Sequence, residues 1–358
     1  MKRTYKLLLL MTFICMFIFC GIVSTSALDA NGKCGDDVSY TYDQDTKELI
    51  ISGTGKIYDE FIGFNESDIQ SVVIKNGVTG IGSYAFARCH DINSISLPET
   101  LTSINDGAFF YCDSLESVII PSKVESIGNK VFQWCDSLIY ISVNSNNETF
   151  SSENGVLFNK NKTKIVIYPE GKTSTTYTIP NSVTHIGDYA FCDSNLKKVT
   201  ISGNVVNIGY NAFGNCTSLK DITIPGSVKN IGAFAFSGCL YLTKVIIEVG
   251  VENIGESAFS TCSALSEITL PATIKVIAKD AFADCIFLKK VNFNGTRAQW
   301  NAIKIKTGNT ALTSASIEIL DDCACHSVGL SRWIFRFKVF FWRFIGKNRQ
   351  CVCGAAHY

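Results

Sequence analysis

A unit of 23 residues recurs through most of this 358-residue chain, and no other feature constrains the fold as strongly. An isoleucine opens the unit at Ile81, Ile104, Ile127, Ile186, Ile208, Ile231, Ile254 and Ile277, at intervals of 23 residues except for one step of 59 and one of 22. Phe follows five positions later every time, from Phe86 to Phe282, preceded by Ala in seven units and by Val131 in the other. Each unit then runs into a segment such as Leu115-Glu-Ser-Val118-Ile-Ile120-Pro121, whose apolar alternation spells a short strand with one face inward. Pro has no N–H to give to a ladder, so it ends that strand. A further apolar residue three positions before the next Ile closes the turn, as at Val124, Val228, Val251 and Ile274. A single unit cannot bury its Ile, Phe, Leu and Val alone, so neighbouring units must stack around a shared core. The expected fold is a repeat solenoid, mainly β, with short parallel strands.

The period falls in the leucine-rich-repeat range. The pattern Ile-Gly-x-x-Ala-Phe-x-x-Cys-x-x-Leu-x-x-Val-x-Ile-Pro resembles the BspA-like class of bacterial and protist leucine-rich repeats, over eight phased units from about Ser71 to Phe293. The resemblance implies a secreted or surface-attached protein, of a kind in which several members act as adhesins toward host proteins or other cells, and it implies no enzyme. Two departures stand out. Asn195-Leu196 arrives one residue early in the unit from Ile186, and residues 144–172 interrupt the array. In that interruption Asn154-Gly155 and the polar stretch from Asn159 to Thr163 are turn chemistry between short apolar runs, which predicts a β-hairpin. Its role is that of a spacer or of a ligand-contact protrusion.

The flanks complete the domain plan. Lys2, Arg3, the apolar run from Leu7 to Val23 and the small-residue exit Thr25-Ser26-Ala27 make residues 1–27 a signal peptide. Residues 28–70 read as an N-terminal β cap and 71–293 as the solenoid with its hairpin insertion at 144–172. Residues 294–322 read as a C-terminal cap in which Trp300 covers the open core, and 323–358 as a Cys/His-rich aromatic and basic tail. The tract from Trp333 to Lys347 mixes large aromatics with Arg and Lys. It suits contact with a membrane interface or cell wall through residues 330–349, and equally a helix packed on the cap.

Seven cysteines share one repeat position: Cys89, Cys112, Cys135, Cys216, Cys239, Cys262 and Cys285. Identical positions point the same way, which is poor disulfide geometry, so they read as buried thiols acting as small hydrophobes. In the tail, Cys323, Cys325 and His326 with Cys351, Cys353 and His357 offer six donors in two clusters, enough for a tetrahedral zinc ion. Disulfides joining the clusters are the competing reading in an exported protein. Elsewhere no cofactor is expected. His90 and His185 have no evident Ser, Asp or Cys partner, and the glycines of Ile-Gly read as turn residues rather than a phosphate loop, so no catalytic constellation is present.

Lys+Arg 32 balances Asp+Glu 32, which removes the basic excess that nucleic-acid phosphates require. The outward strand positions are left to carry recognition, and they differ from unit to unit. Tyr140, Lys198, Asp221, Lys244, Glu267 and Lys290 are the candidate ligand-binding residues, followed two positions on by residues such as Thr200, Thr223 and Asn292. Charge reversals at Lys198, Lys244 and Lys290 are expected to weaken binding without changing stability. The partners expected are extracellular or host proteins and other cell surfaces. A structural spacer or envelope protein without a specific ligand is the alternative. Asn65, Asn147, Asn161, Asn215 and Asn294 head Asn-x-Ser/Thr triplets, which matter only under a glycosylating pathway.

Overall fold

The structure, a computed structural model, describes residues 29–62 and 68–320, so the segment expected to be a signal peptide and everything from 321 onward, the expected tail included, lie outside the described residues. The described chain falls into two compact units, one holding 29–160 with 169–171 and the other 161–168 with 172–320.

The first unit begins with an antiparallel meander of β1 (Asn31–Lys33), β2 (Asp37–Asp43) and β3 (Glu48–Lys56). Alternation along β2 sends Val38, Tyr40 and Tyr42 inward while its Asp and Ser residues face water. β3 then switches partner type. It pairs in parallel with Ser71–Ile74 and with Val78–Ile81, so the meander covers the edge on which the first coil is laid. Later coils repeat that arrangement, each with one strand after the Leu position and a shorter one ending at the unit's Ile. The shorter strands Ser103–Ile104 and Ser126–Ile127 pair in register with their equals one unit away. Strand Tyr140–Val143 pairs in parallel with Ser117–Ile120.

The insertion forms the expected hairpin, Phe150–Glu153 against Val156–Asn159, turned by Asn154 and Gly155 at positive φ. It does not project. Phe150, Val156, Leu157 and Phe158 are buried, and Ile141 N–H donates to Gly155 O at 3.1 Å.

In the second unit, Thr176–Thr178, Lys198–Thr200, Asp221–Ile224, Lys244–Ile247, Glu267–Pro271, Lys290–Asn294 and Ser316–Ile319 form one parallel sheet of seven strands. Shorter strands such as Asn207–Ile208, Asn230–Ile231 and Asn253–Ile254 form another. Past the last repeat the chain turns into α1 (Arg297–Ala302), opened by a capping box in which Thr296 and Gln299 satisfy each other's backbone N–H. That helix sets Trp300 edge-on to Phe293, with ring centroids 5.3 Å apart, and α2 (Thr310–Thr313) buries Leu312 beside it. Trp300 is thereby buried against Phe293 of the last repeat strand.

Parallel register copies each core residue onto its equal one coil away. Phe86, Phe109 and Phe132 stack nearly flat in the first unit, at 5.3 and 5.7 Å between ring centroids. Phe191, Phe213, Phe236, Phe259 and Phe282 do so in the second, at 4.9 to 5.4 Å. These separations are close to the ~4.8 Å between hydrogen-bonded strands, so the rings ride on the backbone repeat. In the unit from Ile186, Ser194 occupies the cysteine position, with its Oγ 3.3 Å from Cys216 Sγ. The missing residue of this 22-residue unit is taken from the loop after Ser194, and Leu196 stays buried.

Between Ile and Cys each coil is a chain of tight turns, and here the structure departs from the sequence reading. The third and seventh positions after Ile adopt positive φ in every unit, whatever the side chain. Tyr84, Gly107, Lys130, Tyr189, Asn211, Phe234, Ser257 and Asp280 do so at the third, and Arg88, Tyr111, Trp134, Asp193, Asn215, Gly238, Thr261 and Asp284 at the seventh. Left-handed backbone costs an L-residue about 1–2 kcal/mol. At most of these positions the offset is a hydrogen bond from the N–H to the next coil, as from Tyr84 to Asp106 O at 2.9 Å and Arg88 to Phe110 O at 2.7 Å, while Trp134 N–H donates to Glu170 Oε1 at 2.7 Å. The Ile-Gly glycines, read as turn residues, have no positive φ. They are needed for close approach: a Cβ on Gly82 would lie 2.4 Å from Tyr58 O, and one on Gly232 2.5 Å from Gly209 O.

All described cysteines are free thiols. Within the repeat they are more than fillers. Cys112 Sγ donates to Phe86 O at 3.2 Å, and Cys239, Cys262 and Cys285 repeat the bond to the Phe carbonyl one coil back. Burial pushes the Cys112, Cys216 and Cys239 thiols far up in pKa, and that of Cys285 to about 12. Since the thiolate is the reactive species, alkylating reagent should leave these four unmodified in the folded protein and label them in denaturant. Peptide mass spectrometry reads the difference, and labelling of Cys239 under native conditions would contradict the packing described.

Candidate binding face

In the second unit the strand register sets the outward residues of successive coils side by side. Lys198 pairs with Asp221, Asp221 with Lys244, Lys244 with Glu267, Glu267 with Lys290, and Lys290 with Ser316. Five of the six sequence-derived candidates thus form one row of alternating sign at ~4.8 Å intervals. The beginning of the row is exposed at Lys198, Asp221 and Lys244, whereas Glu267 and Lys290 are half-buried.

Ion pairs occupy only the later part. Lys244 Nζ and Lys290 Nζ each lie 3.7 Å from a Glu267 oxygen, and Lys290 Nζ lies 2.9 Å from Glu318. Asn292 Nδ2 donates to Glu267 Oε1 at 2.6 Å, and this bond, followed by the two lysines, holds the Glu267 carboxyl below its ordinary pKa. Lys198 and Asp221 form no ion pair among the described residues. Two expectations change as a result. Asn292, taken as outward, is buried, and charge reversal at Lys290 would set a carboxylate against Glu267 and Glu318, so it cannot leave stability untouched.

Tyr140 stands in the first unit, half-exposed at 49%, with Ser117 as its register partner. Ile119, diagonal to it on the same face, is 66% exposed. The outward columns of this unit otherwise hold Ser71, Ser94, Ser96, Ser117 and Ser142, with Val73 part-exposed beside Ser96. The two units therefore offer different surfaces, a neutral hydroxyl face with two large apolar side chains in one and a charged row in the other.

Residue types that suggested chemistry resolve differently. His90, read as lacking a partner, has its Nδ1 3.1 Å from Asp113 Oδ1 and its ring edge-on to Tyr111 at 4.5 Å. The signal was present in the sequence, because the pair is separated by one 23-residue period. Asn147 is fully buried, its Nδ2 donating to Pro121 O and Val124 O and its Oδ1 accepting from Thr149 and Phe150, so it is no glycan acceptor in the folded chain. Among the described residues no group of His, Cys, Asp and Glu could hold a metal ion. Cys323, Cys325, His326, Cys351, Cys353 and His357, the candidate zinc donors, and residues 330–349, expected to contact a membrane interface or cell wall, lie outside the described residues. No described helix is long and apolar enough to cross a membrane.

Residues 60–182 and 184–304 match the family described as the BspA type leucine-rich-repeat region, in six copies. No curated protein matches the chain. Among solved structures, a leucine-rich repeat protein from Eubacterium ventriosum is 25% identical, with a TM-score of 0.58, over 85% of this chain and 96% of its own. A leucine-rich cell surface protein from Faecalibacterium prausnitzii is 22% identical, with a TM-score of 0.56, over 78% and 99% respectively. The pneumococcal vaccine antigen PcpA is 24% identical, with a TM-score of 0.63, over 74% and 70%. The latter two likenesses are likenesses of fold.

Proposed function

Because this chain belongs to the BspA-type leucine-rich-repeat family, we propose that it is a secreted, surface-associated protein that binds extracellular or host proteins and other cell surfaces through its outward strand residues. It acts by binding rather than by catalysis. The supporting observation is the contrast between columns. Core positions repeat one side chain from coil to coil, whereas the outward row runs Lys198, Asp221, Lys244, Glu267, Lys290. Stability accounts for the alternation of sign, since like charges side by side would repel, but not for which residue types stand in the row, a choice that discrimination between partners would make. A leucine-rich cell surface protein among proteins of the same fold fits this location. We assign retention at the surface to residues 330–349, clamped by zinc or by disulfides between the two flanking Cys/His clusters.

Capture of extracellular-matrix proteins and whole cells by the immobilised chain is the direct test. Lys198→Ala should weaken capture about tenfold, equivalent to ~1.4 kcal/mol, with thermal unfolding unchanged, because Lys198 is exposed, stands outside the ion-pair network and is replaced without setting a carboxylate beside Asp221. Unaltered capture would move the contact to Tyr140 and Ile119 or to the hairpin. A second reading, a spacer without a specific ligand, is favoured by the self-satisfied network of Lys244, Glu267, Lys290 and Glu318. Absence of any capture would select it.

A further inference from the structure

The loop that leads each coil into its strand, nine to twelve positions after Ile, divides the two units by charge. In the first unit this leading edge carries Asp91, Asp113, Glu116 and Asp136 and has no Lys or Arg. In the second it carries Lys197, Lys220 and Lys289 and has no Asp or Glu. The imbalance extends beyond the edge. Residues 29–160 hold 19 acidic against 8 basic side chains, whereas 172–320 hold 10 against 13, so the neutral total conceals a strongly acidic unit and a mildly basic one.

The same edge exposes apolar side chains at positions that are polar in other coils. Ile286 is 72% exposed, Phe287 54% and Tyr241 52%, where the first unit has His90, Asp91, Asp113 and Ser114. On the first unit, Ile139 and Tyr140 are 47% and 49% exposed at the strand start, next to Glu116 and Asp136. Contiguous exposed apolar groups rimmed by charge mark protein interfaces. Each edge thus carries what the other lacks: carboxylates around Ile139 and Tyr140 on one, ammonium groups around Ile286 and Phe287 on the other.

We propose that the leading edge of the second unit docks against the leading edge of the first unit of another copy of this chain. Opposite charge steers and orients the encounter, and the exposed Ile, Phe and Tyr side chains become the buried centre. Like edges repel, so the contact joins unlike units and is heterologous. It covers Tyr140 but leaves the outward row from Lys198 to Lys290 open to a ligand, and it does not rest on the binding reading given above.

Sedimentation velocity on the full chain tests the docking. At low salt the apparent mass should rise about twofold or more with concentration, and it should fall back toward the monomer as salt screens the exposed charges. Lys197→Glu/Lys220→Glu/Lys289→Glu should stay monomeric, and so should Asp91→Lys/Glu116→Lys/Asp136→Lys, because each then presents like charge on both edges. An equal mixture of the two should associate again, each supplying the edge that the other lacks. Should either charge variant unfold early, Ile286→Ser/Phe287→Ser in the unaltered background must lower association instead. A wild-type chain that is monomeric at low salt, variants that associate as it does, or a mixture that stays monomeric would each overturn the proposal. So would wild-type association that persists undiminished in high salt.

Discussion

Replacing Phe213 with Ala should remove about 3–5 kcal/mol from the unfolding free energy, the usual cost of emptying a buried Phe site. Its ring is fully buried between Phe191 at 4.9 Å and Phe236 at 5.0 Å, with interplanar angles of 9° and 3°. Neither neighbour can move into the space, because each is tied by the parallel ladders to its own coil. Stability in a stacked array is a sum over units and over the interfaces between them, so the loss falls on both interfaces that Phe213 joins. Urea denaturation followed by far-ultraviolet circular dichroism gives the number. A midpoint unchanged from wild type would mean that the aromatic column does not hold the coils together.

A comparable effect is expected at a polar site. Asn147→Ala should cost ~3 kcal/mol or more, because Val124 O, Thr149 N–H and Phe150 N–H lose their partner while Pro121 O keeps only Val124 N–H at 3.4 Å, and each orphaned group costs about 1–3 kcal/mol before water or relaxation relieves it. The Asn147 amide donates at 2.8 and 2.9 Å to Pro121 O and Val124 O and accepts at 2.9 and 2.7 Å from Thr149 and Phe150, so it ties the turn before the hairpin to the coil beneath. Asn147→Asp is the informative companion, since it keeps the acceptors and replaces the donors with charge. If Asn147→Ala melts within a degree or so of wild type, the amide is ornamental and the turn is held by Phe150 and the other hairpin residues.

The columns of the repeat were legible in the sequence because a parallel coil maps a period onto a contact. Residues 23 apart must meet, and so the Phe stack, the thiol column and the alternating row from Lys198 to Lys290 could be written down beforehand. The same rule would have found His90 with Asp113, had it been applied to the variable positions as well. What stayed hidden depends on geometry that residue type does not report. Left-handed backbone at the third and seventh positions falls on Tyr84, Trp134, Ser257 and Thr261 as readily as on glycine, so no composition marks it. The glycine after Ile marks a near approach between coils, which looks like turn chemistry until the neighbouring carbonyl is in place. Asn292 alternates correctly for an outward residue, yet it sits at the last repeat, beside the cap, where an added layer buries it. Lys244 and Lys290 were legible as neighbours of Glu267, but how far their charges are spent on it was not.

The shortened unit from Ile186 shows where this architecture tolerates a change of length. It keeps Phe191 in the stack, both left-handed residues at Tyr189 and Asp193, and a small polar atom in the thiol slot at Ser194, and it gives up its residue only afterwards. A deletion before that point would shift the ring column out of phase with two neighbours at once. One after it is absorbed by a loop that faces water. Heritable variation in length is thereby channelled to a single side of the coil, where new shapes can be tried while the stack is inherited unaltered.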